Sequence, residues 1–383
     1  MTDIKKVVML TPDTRIDRRI ILEAKSLVKT GKEVIIIARN NGRLPEEATM
    51  DGVTIKRPPY KFTKLNKLNS FITLKSGYDA RLAETVLQHT PDVVHIHDLP
   101  ALRAGILVSE RLKVPLIYDM HEFYPEQHKF SFWKKFYWER LEKKYIYKAN
   151  IIITVNEMLA REIERHYPGL SIGVIQNAVN LPEDFDLSRR YNLFREEYNV
   201  PEDSILLLYQ GWIAPDRNLE IIIRGMRHLS SSKLYLLIMG YGGYANDLQK
   251  LVKYYQLDKK VLFIPAKSQE QLLYYTASAD IGIIPYPYGM DVNTNFASPN
   301  KLYEFIAAGI PILANNLSFI KKVIDENKFG VCTDIQSEQK FANAAQQFTP
   351  EKLTEYRQAI RNNRKKFMWN AEAEKLIKSY DSL

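Results

Sequence analysis

A single cysteine, Cys332, stands in 383 residues, so an internal disulfide framework is excluded and the composition suits a reducing cytoplasm. It lies in an apolar, strand-like run, which argues against a nucleophile. Long apolar runs are missing too: Ile151-Ile152-Ile153-Thr154-Val155 is strand-length, far short of the roughly 18 residues that span a bilayer. Met1-Thr2-Asp3 leads directly into Lys5–Leu10, and no signal peptide is read there. Internal repeats, low-complexity tracts and helix-turn-helix, zinc-finger or RNA-sheet signatures are absent, which puts nucleic acid last among the partners. The only Asp-x-Asp, Asp184-Phe185-Asp186, falls in a linker-like stretch rather than after an apolar strand, and is set aside as a metal site.

What is present is a globular composition, 45% hydrophobic and 26% charged, on a chain long enough for two α/β domains. The net charge of +9 is uneven. Residues 1–170 hold 29 Lys and Arg against 21 Asp and Glu, a surplus of 29 − 21 = 8. An anionic membrane surface or a phosphate-bearing substrate would account for it.

Apolar runs alternate with helix-period segments, the pattern of a parallel α/β fold. Strands are predicted at 5–10, 33–39, 92–97, 114–119, 150–155 and 172–176, with amphipathic segments at 17–30, 78–89, 99–112, 131–149 and 157–166. Asn180–Asp186 breaks the rhythm as a linker. The pattern restarts with strands at 205–210, 234–239, 261–265, 281–285, 311–314 and 330–333 and helical segments such as 217–229 and 300–308. Two doubly wound domains facing a central cleft would bring the carboxyl ends of both sheets to it.

Ser298-Pro299-Asn300-Lys301-Leu302-Tyr303-Glu304, running on to Gly309 and Pro311, carries the chemistry. Ser298 is a natural N-cap, Pro299 a good first helical residue, and Gly309 followed by Pro311 a stop. A helix start offers unpaired N–H groups to a diphosphate. Lys301 opposes the helix dipole in the first turn, a mismatch an anion would relieve. Glu304, one turn on, suits a ribose diol. An ordinary capped helix with a solvated Glu304 is the competing reading.

The segment resembles the donor-site helix of the retaining glycosyltransferases of family 4, which have the GT-B fold. The likeness covers essentially the whole chain. It implies a nucleotide-sugar donor, expected to be a UDP-sugar, and a metal-independent transfer to a glycan, lipid-linked or protein acceptor in surface polysaccharide or glycoconjugate synthesis. No cofactor is expected. Residues 1–182 would face the acceptor, 183–366 would bind the donor, and 367–383, with Trp369, would form the helix that crosses back.

Residue by residue, the resemblance assigns donor contacts to Gly211 before a loop with Arg217, to Gly240, to Ala266 facing the base, and to Ser298 through Leu302 and Glu304. Arg217 stands where the family usually has lysine. One departure concerns the first of the family's two signature glutamates, whose position is Phe296; Asn293 and Asn295 are nearby polar substitutes. That loss motivates a rival, a non-catalytic GT-B subunit. An epimerase of the same fold is disfavoured by the returning helix and the basic first half.

On the acceptor side, His95-Ile96-His97-Asp98 and Tyr118-Asp119-Met120-His121-Glu122 end neighbouring strands. His95 and His97 share a strand face, but local spacing fixes no third metal ligand. The resemblance places His121 at the transferred sugar and Asp98 in the acceptor loop. His97, Asp119 and Glu122 are further candidates, the last two equally able to satisfy backbone groups. Arg15 lies in a loop that resembles a subgroup with Asp-x-Arg, and would meet an acceptor phosphate. Alternatively Asp17 starts the helix, with Arg18 and Arg19 solvated. Finally, 130–148 mixes Trp, Tyr and Phe with Lys and Arg: either an interfacial helix on anionic lipid, or one whose aromatics are its buried face. The protein is expected in the cytoplasm, peripheral on the inner face of the plasma membrane if that helix meets lipid.

Overall fold

The computed structural model describes residues 4–40, 42–59, 77–229 and 233–383. Two compact units emerge, Met1–Gln176 with Glu372–Leu383, and Asn177–Ala371.

The first unit is built on β1 (Lys6–Leu10), β2 (Glu33–Ile37), β3 (Glu47–Met50), β4 (Val53–Lys56), β5 (Val93–His97), β6 (Leu116–Met120), β7 (Ile151–Thr154) and β8 (Ile172–Val174). Their order is β3-β4-β2-β1-β5-β6-β7-β8, parallel apart from the β3–β4 pair. The central strands are continuous apolar runs because helices cover both faces, and Val7 to Leu10 are fully buried. The β3–β4 hairpin was not expected from the sequence. Its mostly exposed β3 carries little apolar signal, but Asp51-Gly52, both at positive φ, is a turn that suits a tight hairpin.

The second unit contains β9 (Ile205–Trp212), β10 (Leu234–Tyr241), β11 (Val261–Pro265), β12 (Ile281–Ile284), β13 (Ile312–Ala314) and β14 (Gly330–Cys332), all parallel in the order β11-β10-β9-β12-β13-β14. A doubly wound sheet binds ligands beyond its carboxyl edge, where the strand order reverses. Those points are β1/β5 in the first unit and β9/β12 in the second.

The units divide at 176/177 and 371/372 rather than at the 182/183 and 366/367 read from the sequence. Val179 bridges to Met368 and accepts a hydrogen bond from Trp369 N at 3.1 Å, which ties both segments into the second unit. Further along the Trp369–Asp381 helix, Glu372 accepts from Gln176 N at 2.8 Å, and Tyr380 is buried with its hydroxyl 2.8 Å from His95 Nδ1. Among the described residues, no helix is long and apolar enough to cross a membrane.

Candidate functional site

At the β9/β12 edge of the second unit, the helix Asn300–Ala308 begins with Pro299, not Ser298, in the cap position. Pro299 is extended (ψ 145°), and the Ser298 hydroxyl lies 2.8 Å from Tyr303 Oη instead of bonding a helix N–H. Asn177 Nδ2 donates to Ser298 O at 2.8 Å and pins the entry. Gly309, at φ 77°, ends the helix as expected.

Lys301 is the unusual group. It is 6% exposed, and its Nζ has no hydrogen-bond partner among the described residues. It sits 3.8 Å from the Tyr209 ring centre and 4.9 Å from that of Tyr286. Arg217 lies 4.7 Å from the same Tyr286 ring. Burial and the neighbouring Arg217 guanidinium hold the Lys301 ammonium well below its usual pKa, against the pull of Glu304. A Cβ on Gly211 would lie 3.5 Å from Lys301 Nζ, so the end of β9 and the helix start meet at this lysine. At Gly240, one strand over, a Cβ would fall 1.9 Å from Gly211 O, which explains the bare backbone there. Glu304 is buried and accepts from Gln210 Nε2, while Gln210 Oε1 is 2.9 Å from Thr276 Oγ1. Its solvated alternative is therefore excluded.

Other predicted residues fall around this edge. Asn300 is half-buried and Leu302 fully buried, so the Leu302 side chain belongs to the core. Ala266 is exposed just past β11. Phe296 ends a short helix, Val292–Asn295, capped by Asp291 on Thr294 N at 2.6 Å. Asn295 Oδ1 accepts from Gly289 N at 2.9 Å. The sequence reading passed over Tyr209, Tyr286 and an exposed pair, Trp212 and Tyr241, whose rings lie 5.1 Å apart at the ends of β9 and β10. Their position directly after apolar strands was the available signal.

In the first unit, the ends of β5 and β6 gather a charged group. Asp98 has φ 63° and ψ 155°, a conformation costly for a non-glycine residue and common at functional sites. Its Oδ1 accepts from His121 N at 3.3 Å. His121 Nε2 lies 3.2 Å from Asp119 Oδ2 and 3.2 Å from His97 Nδ1. Burial opposes charge on His121, yet Asp119 and Asp98 raise its pKa to about 10. Burial pushes Asp98 up to about 6 and, with Asp98 beside it, Glu122 to about 7. Asp13, in the loop after β1, is also raised by burial and faces the same histidine. Arg15 is exposed in that loop.

Asp17 does cap the helix Arg18–Lys29, accepting from Arg19 N at 2.8 Å. Arg19, however, is not solvated. It is buried, and its guanidinium donates to Glu23 Oε1 at 2.8 Å, Asp119 Oδ1 at 2.7 Å and Ile175 O at 2.6 Å. This Arg19–Glu23 pair, one helical turn apart, was the residue set the sequence reading missed. Against the burial penalty, Arg19 and His121 hold the Asp119 carboxylate well below its usual range.

The fold also supplies what local spacing did not: Glu23 and Asp119 join His95 and His97, with four ligand atoms within 4.8 Å of one another. Glu23 Oε2, His95 Nε2 and His97 Nε2 are buried with no hydrogen-bond partner among the described residues. Arg19 already bonds the other oxygen of each carboxylate, His121 adds a second positive charge, and burial raises Glu23 to about 8.

Residues 16–183 match the sequence profile of Glycosyltransferase Family 4, and residues 191–367 that of Glycosyl transferases group 1. The chain belongs to glycosyltransferase family 4. An uncharacterized glycosyltransferase of Methanocaldococcus jannaschii is 23% identical over 80% of this chain and 78% of its own length. A D-inositol 3-phosphate glycosyltransferase of Mycobacteroides abscessus is 21% identical over 93% and 82%. Among solved structures, sucrose-phosphate synthase of Thermosynechococcus elongatus superposes with a TM-score of 0.74 at 15% identity, covering 99% of this chain and 98% of that one. Anabaena HepE in complex with UDP and glucose gives 0.72 at 15%, covering 99% and 100%. These likenesses establish the GT-B fold: two Rossmann-like α/β domains.

Proposed function

We propose that this glycosyltransferase takes its sugar from a UDP-sugar and transfers it, with retention and without a metal ion, to an acceptor hydroxyl. Buried, unpartnered Lys301 carries the proposal. A buried ammonium without an anion is costly, and a diphosphate between Lys301, Arg217 and the Asn300–Ala308 helix start would supply the missing charge. The same cations then stabilise the leaving diphosphate, the work a divalent metal does elsewhere. Glu304 receives the ribose hydroxyls, and Ala266 with the Trp212–Tyr241 pair flanks the base. The UDP bound in the HepE structures supports this choice of nucleotide.

In the first unit His121 and Asp98 address the transferred sugar and the acceptor, with His97, Asp119 and Glu122 positioning them and Arg15 reaching an acceptor phosphate. Relatives named D-inositol 3-phosphate glycosyltransferase support a phosphate-bearing acceptor, and one named O-antigen chain mannosyltransferase a role in surface glycan assembly. The Phe132–Tyr145 helix meets an anionic membrane. Phe132 and Trp133 are 73% and 65% exposed, which removes the reading that its aromatics are all core, and Lys134, Lys143 and Lys144 are exposed beside them.

Calorimetric titration with UDP tests the donor reading. Saturable binding is expected, abolished in Lys301→Ala and Arg217→Ala. Wild-type affinity in both variants would refute it. Phe296 favours a second reading, a subunit that binds donor without turnover; intact UDP binding with no transfer or hydrolysis from any UDP-sugar would select it.

A further inference from the structure

A second basic cavity lies at the opposite edge of the nucleotide-binding unit. Its volume is about 190 Å³, and its walls carry Arg189, Arg190, Arg195, Arg357 and Arg361 against one carboxylate, Asp280. Asp280 precedes β12, and Ile310, also in the wall, precedes β13. The cavity therefore opens at the amino ends of the strands, whereas Lys301 and Gly211 sit at the carboxyl ends. The Asn300–Ala308 helix spans the distance, roughly 13 Å at 1.5 Å per residue. Its first turn belongs to the donor site, and Ala308 and Gly309 line the cavity.

The arginines are not balanced internally. Asp280 accepts from Arg195 Nη2 and Arg357 Nη2, each at 2.7 Å, and from Leu206 N at 3.0 Å, so its capacity is spent. Arg195 is 4% exposed, and its Nε is buried with no hydrogen-bond partner among the described residues. Arg361 donates to a backbone carbonyl, Leu187 O, at 2.9 Å, Arg189 lies over the Tyr191 ring at 5.4 Å, and both feel the Asp186 carboxylate. The nearby Asp186 is engaged by the Ser188 amide and hydroxyl, at 2.8 and 2.7 Å. Five guanidinium groups face one lining carboxylate, Asp280, and the neighbouring Asp186, a surplus of 5 − 2 = 3 positive charges around a space the size of a small anion.

A second cavity of about 300 Å³ shares Arg189 and Tyr191 with the first and is walled by Asp184, Tyr274 and Tyr275, with the Tyr274 hydroxyl donating to Asp184 and that of Tyr275 to Glu197. The rings of Tyr191 and Tyr274 stand 5.6 Å apart. Guanidinium forks match phosphate oxygens, and tyrosine faces and hydroxyls match the carbon skeleton and hydroxyls of a sugar.

We infer that these joined cavities form a binding site for a phosphorylated sugar, distinct from the donor site, with the phosphate among the arginines and the ring against Tyr191 and Tyr274. Calorimetry on the full chain tests it, with glucose 6-phosphate and inorganic phosphate as probes and sodium sulfate at matched ionic strength as control. Glucose 6-phosphate is expected to bind saturably and phosphate more weakly. Arg189→Ala/Arg361→Ala, which changes two exposed-edge side chains, should weaken both by on the order of a hundredfold and leave UDP binding unchanged. Tyr274→Ala should weaken the ester alone, and Arg189→Lys/Arg361→Lys should recover part of the affinity. Lys301→Ala should spare both probes, which separates this site from the donor reading. Unaltered ester binding in the double alanine variant, loss of it in Lys301→Ala, or an equal response to sulfate would overturn the inference.

Discussion

The two units place charge at their strand ends in opposite ways. In the first, Arg19 and His121 lie against Asp119, so cations and carboxylate meet within the buried group. In the second, Lys301 and Arg217 stand side by side over Tyr286 with aromatic faces as their main company. In one arrangement buried cations meet carboxylates; in the other Lys301 has no hydrogen-bond partner among the described residues and Arg217 has Asp216 at 3.5 Å. The first is thereby suited to hold side chains in fixed protonation states, and the second to spend its binding on a substrate that arrives charged.

The sharpest way to break this contrast is to unpair the first group. Asp119→Ala takes from buried Arg19 and His121 the carboxylate they share, leaving Arg19 with Glu23, and should destabilise the protein by about 3–5 kcal/mol in urea titration. An effect under about 1 kcal/mol would mean the pair is not buried as described. Lys301→Ala should do the reverse: thermal stability is kept or raised, because an uncompensated polar group leaves the interior, while kcat/KM falls by the equivalent of about 2–4 kcal/mol. A matched loss of stability would place Lys301 with the structural pairs instead.

Protonation distinguishes the units again. Because Asp119 and Asp98 raise the folded His121 pKa to about 10 from its ordinary 6.5, its charge stabilises the folded state fully below the lower value. That contribution is lost as pH rises through about 10. Stability measured from neutral pH upward should fall, and His121→Asn should flatten the slope. Lys301 is depressed, so diphosphate binding should instead take up a proton. Calorimetry in two buffers of different ionisation enthalpy reads that uptake, which Lys301→Met should remove. The smallest effect belongs to the Phe132–Tyr145 helix: Lys134→Glu, Lys143→Glu and Lys144→Glu should each weaken flotation with anionic vesicles by about 1 kcal/mol. Unchanged flotation in the triple variant would end the membrane reading.

The parallel strands were legible because burial on both faces writes them as unbroken apolar runs: 205–210 and 261–265 fall within or on β9 and β11. The Asn300–Ala308 helix was legible from its caps, to within one residue at Pro299. Harder to see was anything joined across long sequence distances. Asp119 meets Arg19 one hundred positions away, and His95 meets Tyr380 after 285. No local period encodes such pairs, so Arg19 read as an ordinary surface arginine, and the histidines looked short of a third ligand. The β3–β4 hairpin escaped for a different reason, since an exposed edge strand needs few apolar residues.

The bond between His95 and Tyr380 also bears on synthesis. A ribosome delivers the first unit's sheet long before it delivers Glu372–Leu383, yet that stretch belongs to the same compact unit. The nascent sheet must therefore wait, with the surface around His95 uncovered, while the whole second unit is translated and given its chance to fold. Closure of the earlier-made half therefore depends on the Trp369–Asp381 helix.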